Sequence, residues 1–192
     1  MTETKKFDPA KRKKLNNPER LQWIPPERIW ELLAAPGTTS YVDIGAGTGY
    51  ITSEVASIAG KGVIIHALDI EPLMVKEMEE TLPVGSSIKA MLMEKDILPF
   101  SDNSIDGVWM ITLYHELDSP GQMLAEIKRV LRPQGRVLVI DWEKKEEACK
   151  HGPPILHRVD IQTAIKQIKE AGFNNVTSQP GFTFHYGILG YR

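Results

Sequence analysis

The chain has 192 residues, of which 42% are hydrophobic and 25% charged, a makeup that fits one domain with a continuous core and excludes a disordered chain. Its 15 glycines and 13 prolines follow no short period, which removes collagen-like, linker-like and solenoid readings. Cys149 is the single cysteine, so no internal disulfide can form, a reducing compartment is expected, and zinc sites built on several cysteines are excluded; no metal is expected.

The net charge of −2 is unevenly spread, because Met1–Arg20 carries seven basic residues against three acidic ones. Such an arm can touch phosphate or can be a solvated helix, and a nucleic-acid binder would carry its basic patch across the whole domain. Charges in Met1–Lys14 occupy the place where a signal peptide needs an apolar run, and the longest apolar stretches, such as Gly62–Leu68, fall far short of the ~18 residues of a membrane span. The expectation is a soluble, cytoplasmic protein.

Next along the chain, Pro25-Pro26 opens a helix with Ile29, Leu32 and Leu33 on one side, closed by Pro36-Gly37. Five strands are predicted, at Ser40–Ile44, Val63–Asp69, Ile88–Met91, Asp106–Ile111 and Arg136–Asp141. Helical spacing lies between them: Ile51, Val55 and Ile58; Met74, Met78 and Leu82 after Pro72; Leu124, Ile127, Val130 and Leu131. Alternation of this kind predicts a mostly parallel sheet with helices on both faces. Ile161, Ile165 and Ile168 mark a last helix ending at Ala171-Gly172, and Phe173–Ser178 and Phe182–Tyr191 read as an antiparallel hairpin around Gln179-Pro180-Gly181. With no interdomain linker, residues 1–192 form one domain, preceded by an N-terminal segment over residues 1–36.

The first strand runs into Gly45-Ala46-Gly47-Thr48-Gly49 and then a helix, a junction where backbone without side chains can approach a ligand at the carboxyl end of a sheet. Tyr50 takes the place of the third glycine of the dinucleotide fingerprint, and the strand carries an acid, Asp43. A pyrophosphate favours positive potential at this point, whereas a carboxylate favours a ligand bearing an ammonium and a sulfonium. S-adenosylmethionine is such a ligand. Asp69, with Ile70 beside it, ends the second strand twenty residues after Gly49, where both carboxylate oxygens can accept from a ribose diol. Asp96 follows the third strand and can accept from an adenine amine while the Ile97 amide donates to a ring nitrogen. Each acid can alternatively cap a helix or begin a turn, but three acids at three successive strand ends face one crevice in a parallel sheet.

With these strings in place, the sequence resembles the class I S-adenosylmethionine-dependent methyltransferases, in the small-molecule branch that includes the ubiquinone/menaquinone-biosynthesis type. Val42–Tyr50, Leu68–Pro72 and Asp96–Phe100 with Asp102–Asp106 look like the family's cofactor loop, ribose-binding strand end and adenine-side segment. Tyr114-His115-Glu116-Leu117 sits where relatives carry a Leu-His-His-like stretch, and Val130–Arg136 resembles the turn into the fifth strand, with Gln134 in place of a usual glycine. The resemblance implies a Rossmann-like, doubly wound α/β sheet of seven strands with an antiparallel C-terminal strand, and methyl transfer. Phe7–Trp23 is similar to a lid segment of some family members, which makes residues 1–36 a lid over the cofactor. Arsenite methyltransferases need several reactive cysteines, so the lone Cys149 argues against that activity.

Methyl transfer from a sulfonium needs alignment of an acceptor lone pair and exclusion of water more than covalent help. For a hydroxyl or enol acceptor a general base would assist, and His115, Glu116, Asp141 and His157 fall on the loops after the fourth and fifth strands; His115 and Asp141 are the catalytic candidates. His115 can instead pack structurally and Asp141 can cap its strand. Tyr114, Trp142 and His157 are candidates for the acceptor pocket, whose walls an aromatic-rich loop set could supply. Ile111-Thr112-Leu113-Tyr114 lacks the prolines of the Asn/Asp-Pro-Pro-Tyr string common in nucleic-acid amino-methylating enzymes, which leaves nucleic acid as the second substrate reading and a nonenzymatic S-adenosylmethionine-binding module as the third. The identity of the acceptor, the attacking atom and the oligomeric state are not written in the sequence.

Overall fold

A computed structural model of the chain describes residues 6–83 and 85–192, with the Cys149 side chain outside the description. Two short pieces come first, a 3-10 helix over Pro9–Asn16 and helix α1 over Glu19–Trp23. Pro25 and Pro26 then open α2, Pro26–Leu33, whose Ile29, Leu32 and Leu33 are buried as their spacing predicted.

Seven strands follow: β1 Ser40–Ile44, β2 Ile64–Asp69, β3 Ile88–Leu92, β4 Ile105–Ile111, β5 Leu131–Trp142, β6 Asn174–Gln179 and β7 His185–Tyr191. They form one sheet in the order β3-β2-β1-β4-β5-β7-β6. Pairs among β1 to β5 are parallel, while β7 lies antiparallel to both β5 and β6, as the C-terminal hairpin requires. The crossovers carry α3 (Tyr50–Ala59), α4 (Pro72–Thr81) and α5 (Pro120–Val130), and α6 (Ile161–Glu170) precedes the hairpin.

Period-2 alternation in the strands divides the core into two layers. Val42, Ile44, Val108, Met110, Val137 and Val139 pack with Leu124, Ile127 and Ile168 of α5 and α6. Tyr41, Trp109, Ile111, Leu138 and Ile140 face the other way, onto Ile29 and Leu33 of α2 and Ile51 and Val55 of α3. α4 seals the β2–β3 end through Val75 and Met78 against Ala67 and Ile88.

The largest departure from the sequence reading is β5, which starts at Leu131 rather than Arg136. Ile105 pairs with Leu131 and Gly107 with Arg136, so the pairing breaks register between them. Gln134 lies within that irregularity at φ 67°, the left-handed conformation that the usual glycine would supply at lower cost. The substitution seen in the sequence thus acts on this turn, away from the crevice.

Candidate functional site

The parallel strands end together on one side of the sheet, and the topology reverses between β1 and β4, the arrangement that opens a crevice at strand carboxyl ends. A cavity of about 440 Å³ occupies it, a size usual for a small-molecule site. Gly45, Ala46, Gly47, Asp69, Ile70 and Asp96 line it, as do Met93, Thr112 and Leu113. A Cβ at Gly45 would stand 2.8 Å from Leu113 Cδ2, and one at Gly47 2.8 Å from Leu15 Cδ1; both glycines have positive φ. The loop is thus bare backbone packed under the Leu113 and Leu15 side chains at the edge of the cavity.

Asp69 ties this loop to β2. Its Oδ2 accepts from the Gly47 N–H and its Oδ1 from the Glu71 N–H, each at 2.9 Å. The Glu71 bond steadies the chain as it enters α4 without using up the carboxylate. An ionised carboxylate has about four acceptor positions, so each oxygen keeps capacity for a ligand hydroxyl. Burial pushes the Asp69 carboxyl above its ordinary range, against the backbone N–H groups that hold it down.

Asp43 sits elsewhere than expected. It is only 3% exposed, is not among the residues lining the crevice, and accepts from Thr52 Oγ1 at 2.6 Å on α3. Burial pushes it up to about 7, with Thr52 acting the other way, so its carboxyl is only partly ionised at neutral pH. Gly49 is likewise outside the crevice: it caps the start of α3 at φ 73°, packed on Met78. Asp96 reaches the crevice from a left-handed turn position, φ 57°. Ile97 is 53% exposed and its N–H donates to the Glu94 carbonyl, so the amide expected to meet a ring nitrogen is engaged in the turn.

After β4, Thr112 adopts φ 53° and the chain tightens into a 3-10 turn, Tyr114–Glu116. That turn sends successive side chains to different places. Tyr114 goes into the core beside α5 and α6, its hydroxyl donating to Gln167 Oε1 at 2.8 Å, and the structure does not bring it to either cavity described here. His115 instead meets Asp141 at the end of β5: Nδ1 lies 2.8 and 3.0 Å from the two carboxylate oxygens, and the His115 backbone N–H donates to Oδ2 at 2.9 Å. Asp141 Oδ1 also accepts from the Trp142 N–H, so the carboxylate is fixed from three directions. With Nδ1–H donated to Asp141, Nε2 is left as the basic atom, 3.7 Å from Glu116 Oε1. Burial works against the imidazolium, but the hydrogen bond and charge of Asp141 outweigh it, and the His115 pKa is raised. Burial also raises Glu116, whose Oε2 accepts from the Phe7 N–H.

A second cavity, about 880 Å³, adjoins the first and shares with it Lys6, Phe7, Leu15, Arg20, Thr112 and Glu116. His115, Trp142 and His157 line it, together with Trp23 and His151, whose rings lie 4.7 Å apart. Two of the three acceptor-pocket candidates, Trp142 and His157, thus share a cavity with the catalytic candidate His115.

Arg20 is the site residue that sequence reasoning did not single out. It lines both cavities, and burial lowers its guanidinium to about 10 in spite of the opposing charge of Asp43. Its only signal in the sequence is its place at the end of the Leu15–Arg20 string. The 3-10 helix before it lies across the crevice, with Leu15 over Gly47, Asn16 Oδ1 accepting from the Thr48 hydroxyl, and Arg12 paired with Glu77 on α4.

Comparison with known proteins agrees with this geometry. The family described as methyltransferase domain matches residues 42–139. An uncharacterised methyltransferase of Mycobacterium bovis is 35% identical over 170 residues, 81% of this chain and 66% of the relative. A ubiquinone/menaquinone biosynthesis C-methyltransferase of Burkholderia mallei is 33% identical over 57% of this chain and 45% of its own. The chain therefore spans less than two thirds of these relatives' length. A crystal structure of an S-adenosylmethionine-dependent methyltransferase from Aquifex aeolicus superposes with a TM-score of 0.87 at 29% identity, covering 97% of this chain and 99% of that one. On the family match and the mycobacterial relative together, this chain belongs to the methyltransferase-domain family.

Proposed function

We propose that this protein is an S-adenosylmethionine-dependent methyltransferase acting on a small molecule by direct in-line transfer. The observation that carries the reading is the crevice itself: a bare glycine cradle at the end of β1, bound through its Gly47 amide to the carboxylate that ends β2. When bound, S-adenosylmethionine supplies a methyl group already activated on a sulfonium. Gly45, Ala46 and Gly47 would hold its amino-acid half, Asp69 and Ile70 its ribose, and Asp96 its adenine.

The chain's own work is then positioning, exclusion of water and proton handling. For a hydroxyl or enol acceptor, His115 would take the proton at Nε2 while Asp141 holds the ring through Nδ1. Trp142 and His157 would wall the acceptor. The N-terminal segment would act as the lid, a role supported by its contacts with the Thr48 loop, Glu77 and Glu116. A small-molecule acceptor is supported by the walled second cavity and by the name of the Burkholderia relative. A cytoplasmic location is supported by the single cysteine, and among the described residues no helix is long and apolar enough to cross a membrane.

Thermal unfolding tests the reading. S-adenosylmethionine and S-adenosylhomocysteine should raise Tm while NAD does not, because a ligand of the folded state stabilises it in proportion to occupancy. Equal stabilisation by NAD would overturn the assignment of the crevice.

A further inference from the structure

The two adjoining cavities carry opposite charge. Five carboxylates face three cations around the glycine cradle, which suits a ligand with ammonium and sulfonium groups. Around the second cavity five cations face two carboxylates, and a cleft lined by one sign of charge with low-dielectric walls focuses its field on what enters. Lys11, Lys14 and Lys150 line only the second cavity.

At the junction stands Arg20. One of its N–H donors goes to the Leu15 carbonyl at 2.6 Å, and among the described residues no carboxylate lies within ion-pair distance. A guanidinium has five donors in a planar fork matched to an oxyanion. A cation removed from bulk water without a paired acid is costly, and its lowered pKa reports that cost. Aromatic rings complete the enclosure: Trp23 beside His151, and Trp142 held between His185 at 4.1 Å and the Arg158 guanidinium.

We infer that the second cavity selects a planar methyl acceptor bearing a negative charge, and that the Arg20 guanidinium anchors that charge. The inference rests on the methyltransferase reading above and deepens it, from a small molecule to an anionic aromatic one. The competing occupant of Arg20 is the carboxylate of the bound cofactor, and the test separates the two.

The full chain is saturated with S-adenosylhomocysteine and titrated calorimetrically with benzoate, 2-naphthoate and indole-3-acetate, each against its neutral amide, with phenyl phosphate alongside to separate carboxylate from phosphate recognition. At least one anion is expected to bind at least about tenfold more tightly than its neutral partner, a margin that shrinks with added salt. Arg20→Gln should remove most of the preference, and Lys14→Gln with Lys150→Gln should reduce it several-fold in a chain whose cofactor crevice is untouched. Equal binding of acids and amides, or no binding of any acid up to about 10 mM, overturns the inference. So does a preference that survives Arg20→Gln while S-adenosylhomocysteine affinity falls, since the guanidinium then serves the cofactor's carboxylate. Failure of S-adenosylhomocysteine to bind the wild-type chain would instead remove the methyltransferase reading itself.

Discussion

The two cavities share six lining residues but are built in different ways. The crevice at the end of β1 is made of backbone and of strand-end acids, so its shape follows directly from the sheet. The cavity beside it is assembled from side chains on the N-terminal segment, the 3-10 turn after β4, the end of β5 and the loop beyond it. A site made by a sheet is repeated wherever the sheet is, whereas a site made by loops is free to differ between relatives. In the proposed function the difference separates a donor end from an acceptor end, and substitutions should separate them in the same way.

The largest effect is expected at the catalytic pair. With an acceptor that loses a proton, His115→Ala should lower turnover roughly 100- to 10,000-fold while S-adenosylhomocysteine affinity stays within about twofold. Comparable losses in affinity would place His115 in the first cavity's machinery and blur the division.

Removing residues 1–23 comes next. The domain should still fold, since the sheet and α2 lie outside the deletion, and S-adenosylhomocysteine should dissociate roughly tenfold faster, a loss of about 1.4 kcal/mol of lid contacts. Unchanged dissociation in a stopped-flow exchange would reduce the segment to a tail.

A pH effect tests the support beneath the glycine loop, where Asp43 is buried against Thr52. The Asp43 carboxyl is raised from its ordinary value to about 7. Between about pH 4 and pH 7 the unfolded chain loses this proton while the folded chain keeps it, so this group's contribution falls as pH rises. Asp43→Asn should remove that component, and denaturant unfolding should show wild type losing more stability than the variant across this window. Parallel curves would mean that Asp43 is ionised throughout.

Smallest is Gly47→Ala. Positive φ strains an L-residue by roughly 1–2 kcal/mol, and the new Cβ would press on the flexible end of Leu15. A several-fold faster cofactor release is expected, with Tm lowered by roughly 2–8 °C by the strain.

How much of this was legible in the sequence divides along the same line. Strand period, helix spacing and the glycine string locate β1 to β4 within about a residue, because each is a local pattern. Asp69 follows, being the last residue of β2, and Asp96 lies in the turn after β3. Strand alternation turns Asp43 beneath the loop toward Thr52, a facing that depends on the exact register of β1 and is not marked by the glycine string. Tyr114 and His115 are adjacent in the sequence, yet the left-handed Thr112 and the turn after it send one to α6 and the other to Asp141. Arg20 was hidden for a further reason: its surroundings come from segments far apart in the chain, and no periodicity marks such a meeting.

The most direct test is calorimetric titration of Asp69→Ala with S-adenosylhomocysteine, beside denaturant unfolding. Asp69 joins the cradle to β2, and in the proposed function its remaining acceptor positions take the ligand. Losing hydrogen bonds to a charged acceptor costs about 1.5–3 kcal/mol, so Kd should rise roughly ten- to a hundred-fold. Stability should fall by only about 1–2 kcal/mol as the Gly47 and Glu71 amides lose their acceptor. A Kd within about twofold of wild type, a difference of ~0.4 kcal/mol, would contradict the placement of the cofactor in this crevice.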